Sequence, residues 1–137
     1  MKAFIESSAL AKRYIQERGS EKVASLLAEA SEVGISLIVP PEIVSALTRL
    51  RRQGAISASD YSLAKSTLFE DVEDMTVCSI SVLVAKRAIA LLEKHSLRTL
   101  DALHLACALE WKAGIFVTSD RRQSDAAAAS GLHVVSV

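Results

Sequence analysis

The feature that most constrains this chain is an alternation of short, nearly unbroken apolar runs with segments of helical periodicity. Ala3 to Ile5, Ile35 to Val39, Met75 to Cys78, Ile115 to Thr118 and His133 to Val135 read as strands. Strands this continuously apolar belong in a sheet covered on both faces. Helical patterns fall at 8–18, 20–31, 42–53, 58–71, 81–94, 100–112 and 121–130. Strands that alternate with helices predict an α/β fold in three layers: a mainly parallel central sheet of about five strands, flanked by helices.

Local signals support these boundaries. Gly19, Gly54 and Gly114 stand where helices should stop, and Pro40-Pro41 suits a first helical turn. Ser20, Ser57, Ser79 or Ser81, and Thr99 are placed to cap helices. The 137 residues contain no linker, repeat or low-complexity stretch, and half of them are apolar. A single domain over 1–137 with its own core is expected.

Composition excludes several classes. No apolar run approaches the roughly 18 residues of a membrane span, and Met1-Lys2 leads straight into a strand. A cytoplasmic protein without a signal peptide or membrane contact is expected. Cys78 and Cys107 lie in separate apolar segments without the spacing of a zinc site, and read as buried thiols. The formal net charge is zero, so no global field favours nucleic acid. Basic residues nevertheless cluster at Lys12-Arg13, at Arg49 with Arg51-Arg52, and at Arg121-Arg122, where solvated helix faces are the plain alternative.

The acids carry the functional signal. Ligands of parallel sheets bind beyond the carboxyl ends of the strands. Glu6 ends the first strand, Glu42 follows Pro40-Pro41, Asp101 opens the helix after Thr99, and Asp120 follows the strand 115–118. Any one of them has a plain reading, because acids are favoured in first helical turns. Four converging carboxylates would repel one another, and a divalent cation resolves that conflict. Ligands that are all oxygen favour Mg²⁺ or Mn²⁺. Asp101 and Glu6 are the first choices for direct ligands, with Glu42 and Asp120 completing the shell. Ser7 and Thr118 lie near the same rim to orient water or phosphate, and Arg13, Arg98 and Arg121 border it as phosphate contacts. His104, three residues after Asp101, either shares the cleft or packs on the sheet; the second is the simpler expectation. Asp125 reads as a solvated helix residue.

The stretches "FIESSALAKRY", "PPEIVSALTRL", "RTLDALHLACAL" and "FVTSDRRQSDAA" together resemble the PIN-domain family, and within it the VapC-type toxins of toxin–antitoxin pairs. The third stretch is the most specific. The resemblance runs the whole length of the chain. It implies a Mg²⁺- or Mn²⁺-dependent endoribonuclease whose catalytic and metal-binding acids are Glu6, Glu42, Asp101 and Asp120. It also implies a homodimer, an RNA substrate and a cognate antitoxin that blocks the cleft. One position departs from the family pattern: the first acid there is almost always Asp, and here it is Glu6. The alternative is therefore a PIN fold with weakened catalysis that acts as a binding or regulatory partner. A phosphoacceptor receiver domain fits poorly, because Ser7 follows Glu6 where a second acid is needed. A dinucleotide-binding domain lacks its Gly-rich turn. Amphipathic segments at 57–71 and 81–94 carry more apolar residues than a small core absorbs, and are expected to hold a second copy or an antitoxin helix.

Overall fold

The computed structural model describes residues 1–137. Strands β1 (Lys2–Ile5), β2 (Glu32–Ser36), β3 (Thr76–Cys78), β4 (Ile115–Thr118) and β5 (His133–Ser136) form one sheet in the order β3-β2-β1-β4-β5. Every pairing is parallel. The helices are α1 (Ser7–Leu10), α2 (Ser20–Glu29), α3 (Val39–Arg52), α4 (Ala58–Glu73), α5 (Val82–Lys94), α6 (Thr99–Glu110) and α7 (Arg121–Ala129).

Alternation along the central strands divides the core in two. Ala3, Ile5, Ile35, Ile115 and Val117 project to one face, where Leu10, Leu26, Ile43, Leu47 and Leu68 cover them. Phe4 and Phe116 project to the other, against Val84, Leu91, Leu105 and Ala127. Phe4 and Phe116 stack with ring centroids 6.1 Å apart. Both faces of a parallel sheet are thus apolar, which is why β1 and β4 read as unbroken runs. Gly34 of β2 admits the ring of Trp111: a Cβ there would stand 2.7 Å from the indole.

The chain lays down β1, β2 and β3 in one direction, then crosses to place β4 on the far side of β1. The crevice between the carboxyl ends of β1 and β4 is therefore the topological switch point. Ser57 caps α4 through a reciprocal capping box with Asp60, and Ser81 caps α5.

Three local expectations are corrected. The strand expected at 35–39 runs instead from Glu32 to Ser36; Leu37 turns outward and Val39 already opens α3 around Pro40-Pro41. The helix expected at 8–18 is only α1 and a 3-10 turn at Ala11–Arg13. Lys12 donates to the Arg18 carbonyl at 2.7 Å, and Ser20 Oγ accepts from the Glu17 amide at 2.9 Å, so side chains fold 14–19 into a loop. Gly19, with φ of 95°, and not Ser20, precedes α2; Arg98, not Thr99, precedes α6.

Candidate active site

Glu6 follows β1 directly and is 3 % exposed. Its carboxylate turns back over α1, accepting from the Ser8 amide at 3.0 Å, the Ala9 amide at 3.1 Å and the Ser8 hydroxyl. It is a helix cap, and both of its oxygens are engaged. Ser8 Oγ in turn accepts from the amide and hydroxyl of Ser119 at 3.2 and 2.8 Å, tying the end of β1 to the end of β4.

Glu42 lies in the first turn of α3, where Pro40-Pro41 starts the helix. Its Oε1 accepts from Ser7 Oγ at 2.7 Å and from His104 Nε2 at 2.5 Å. Burial pushes this carboxyl up, but the hydrogen bonds from His104 and Ser7 outweigh it and hold Glu42 below the usual carboxylate range. His104 is 1 % exposed, and its other ring nitrogen meets Ser36 Oγ at 2.9 Å. The ring is therefore both packed on the sheet and joined to the cleft.

Asp101 and Asp120 share one buried side chain, Gln123. Its amide donates to Asp101 Oδ1 at 2.8 Å, while its backbone N–H donates to Asp120 Oδ1 at 2.9 Å. Asp120 thereby caps α7. Thr118 Oγ1 accepts from the Asp120 amide at 2.9 Å and donates to Gln123. Ser7 and Thr118 thus hold protein groups in place.

The arginines divide. Arg98 lies 3.4 Å from Asp101 with its side chain 80 % exposed, and it lines an open cleft with Ser7, Glu42, Arg49 and Leu100. Arg121 is exposed at the start of α7. Arg13 is drawn away from this rim: it binds both oxygens of Asp71 on α4, at 2.6 and 2.9 Å. Arg49, seven residues after Glu42 on α3, stood out in the sequence only as one of a basic cluster with Arg51-Arg52, and the structure brings it to the cleft. Nothing local in the sequence marked Ser36 or Gln123, because their partners come from distant elements. Asp125 is exposed, as expected of a solvated helix residue.

The oxygen-only donor set suits a hard divalent ion. Glu42 and Asp120 each keep one oxygen free of protein donors, and Asp101 Oδ2 meets only Arg98. No three His, Cys, Asp or Glu side chains are gathered into a metal-holding group, and Glu6, engaged as a cap, does not fit as arranged. Glu42, Asp101 and Asp120 fit a cation by chemistry and by their place on the rim.

A doubly wound parallel sheet with its acids at the switch point defines the class. The chain belongs to the PIN domain family, whose model matches residues 3–129. It is similar to Ribonuclease VapC3 of Pyrobaculum aerophilum, at 29 % identity over 125 residues, covering 91 % of this chain and 94 % of that one. Solved structures show the same fold. A toxin–antitoxin complex from Klebsiella pneumoniae superposes with a TM-score of 0.72 at 20 % identity, over 98 % of this chain and 96 % of that chain. VapC20 of Mycobacterium tuberculosis, a Sarcin-Ricin loop cleaving toxin, gives 0.70 at 17 % identity over 98 % of each chain. No helix is long and apolar enough to cross a membrane.

Proposed function

We propose that this chain is a divalent-metal-dependent endoribonuclease and the toxin of a toxin–antitoxin pair. The observation that carries the reading is the presence of Glu42, Asp101 and Asp120 on the rim at the switch point, of which only Asp101 has an arginine in contact, and that one long and exposed. The likeness to Ribonuclease VapC3 supports RNA as the substrate.

Glu42, Asp101 and Asp120 would hold Mg²⁺ or Mn²⁺, and such an ion supplies an activated water and offsets charge developing on the phosphate. The chain's own residues do the rest. Gln123 fixes the Asp101–Asp120 pair, Ser7 and His104 fix Glu42, and Glu6 adds negative charge while it caps α1. Arg98, Arg49 and Arg121 are placed to bind the RNA backbone.

RNA cleavage measured with and without EDTA tests this reading. Asp101→Asn should keep the fold and abolish cleavage; undiminished metal-dependent cleavage by that variant removes Asp101 from the site.

A second reading is favoured by Glu6. With its carboxylate engaged by three donors at the start of α1, the chain would bind a partner or RNA with weak catalysis. Metal binding without cleavage would mark that case. For partners, Leu63 and Phe69 of α4 and Val82, Leu83 and Ile89 of α5 are exposed apolar residues. They supply surface for a second copy or an antitoxin helix. A strictly monomeric mass at high concentration, with no antitoxin encoded beside the gene, would count against this.

A further inference from the structure

We infer that His104 is a positioning residue for Glu42, held by Ser36 in the tautomer that carries its proton on Nε2. The inference deepens the ribonuclease reading, on which it rests for the role of Glu42.

His104 is 1 % exposed and Ser36 is 0 % exposed, so water is not available to either. Nε2 lies 2.5 Å from a carboxylate oxygen, which only accepts, and 3.4 Å from Ser7 Oγ, whose proton goes to that same carboxylate at 2.7 Å; Nε2 therefore carries the hydrogen. Nδ1 lies 2.9 Å from Ser36 Oγ, whose hydroxyl has no other hydrogen-bond partner. With the hydrogen on Nε2, Nδ1 is an acceptor and the only one within reach of the Ser36 hydroxyl, so Ser36 donates to it. A doubly protonated ring would leave that hydroxyl proton in the core with no acceptor. Glu42 thus requires the Nε2–H tautomer, and Ser36, the last residue of β2, donates to the Nδ1 that this tautomer leaves as an acceptor.

The arrangement has a geometric result. Glu42 Oε1 accepts from both Ser7 and His104, so the carboxylate is held in one orientation, with Oε2 as its free oxygen. His104 is three residues after Asp101, so α6 carries one rim acid and the anchor of another. A lysine or arginine in its place would also hold Glu42 but would cancel its charge. The hydrogen bond from Nε2 orients the carboxylate and leaves Oε2 for a cation.

The test combines ring-nitrogen NMR with metal titration. In wild type at neutral pH, long-range ¹H–¹⁵N correlations of His104 should show the Nε2–H tautomer. Ser36→Ala should keep Nε2–H, because Glu42 still accepts from it, and should move the Nδ1 resonance to that of an imine nitrogen with no hydrogen-bond donor. Mn²⁺ titration by calorimetry should find binding about 10–100-fold weaker in His104→Asn, whose short amide cannot reach Glu42. His104→Gln places an amide nitrogen where Nε2 stands and should bind close to wild type. A wild-type ring protonated on Nδ1, or equal Mn²⁺ affinity in all variants, overturns the inference; so does equal loss in His104→Gln and His104→Asn with folding intact. If His104→Asn does not fold, the ring spectrum of Ser36→Ala decides. If wild type binds no Mn²⁺, the metal-site reading fails, while the ring spectrum still decides the Ser36–His104–Glu42 arrangement.

Discussion

Glu42 and Asp71 are both partly buried carboxylates held below their usual range, yet they stand in opposite electrostatic settings. Burial pushes Asp71 up, and the hydrogen bonds from Arg13 and Tyr14 outweigh it. Arg13 grips it through two nitrogens and Tyr14 donates at 2.8 Å, so the charge is cancelled inside the protein. Glu42 reaches the same state chiefly through hydrogen bonds from an imidazole and a hydroxyl, and Arg98 acts on it only through space, with no lysine or arginine in direct contact. A depressed carboxyl can thus rest on a full ion pair or on hydrogen bonds that leave an oxygen exposed to other ligands. Asp71 joins α4 to the loop after the 3-10 turn, whereas Glu42 is oriented with its charge kept.

The sharpest way to move the rim is through Glu6. Its extra methylene displaces the carboxylate by roughly one C–C bond, ~1.5 Å, relative to Asp. Misplacement of about 1 Å can cost about a hundredfold in rate. Glu6→Asp still caps α1, and should raise metal-dependent cleavage by up to that factor, with wild type comparatively more tolerant of Mn²⁺ than of Mg²⁺. Steady-state cleavage with each ion checks this; no gain with either would leave Glu6 as the cap of α1 with no part in placing the ion.

Asp71→Asn should do the reverse. It leaves Arg13 partly buried without its counter-charge and should cost about 1–3 kcal/mol of stability in urea unfolding, while cleavage is unchanged. A loss of cleavage at full stability would break the distinction between the two acids. Next in size, Arg49→Ala and Arg98→Ala should each raise KM a few-fold, lower kcat little and flatten the salt dependence, as phosphate contacts do.

The smallest effect is on acid stability. A carboxyl lowered by folding contributes stability above its unfolded value, and that contribution disappears as pH falls through its folded value. For Glu42 and Asp71 the ordinary values are 4.5 and 3.8, so Tm should be flat above about 4.5 and decline below it. Asp71→Asn should decline less steeply at the acid end. Thermal melts across the acid range measure both slopes.

Much of the fold was legible because β1 and β4 are apolar throughout and stop at acids, and because Ser57, Ser81 and Pro40-Pro41 mark helix starts by short-range chemistry. The segment 14–19 was not, since its turn depends on Lys12 and Ser20 reaching over it. The early end of β2 was hidden by the apolar Leu37, Ile38 and Val39, which continue the pattern while the backbone leaves the sheet. At the rim, residue type and order pointed to Glu42, Asp101 and Asp120. The cap role of Glu6 was hidden because glutamate is uncommon there. Ser36 and Gln123 matter only through contacts 68 and 22 residues away in sequence. Burial pushes the Cys107 thiol up to about 12, in keeping with an inert core cysteine.

If the rim carboxylates keep their charge for a divalent cation and Asp71 does not, metal binding separates the two. Mn²⁺ titration of wild type, Asp101→Asn and Asp71→Asn by calorimetry tests it most directly. The account predicts binding by wild type and Asp71→Asn alike, and its loss in Asp101→Asn with the melting temperature retained. Equal binding by all three variants, or loss in Asp71→Asn alone, would contradict it.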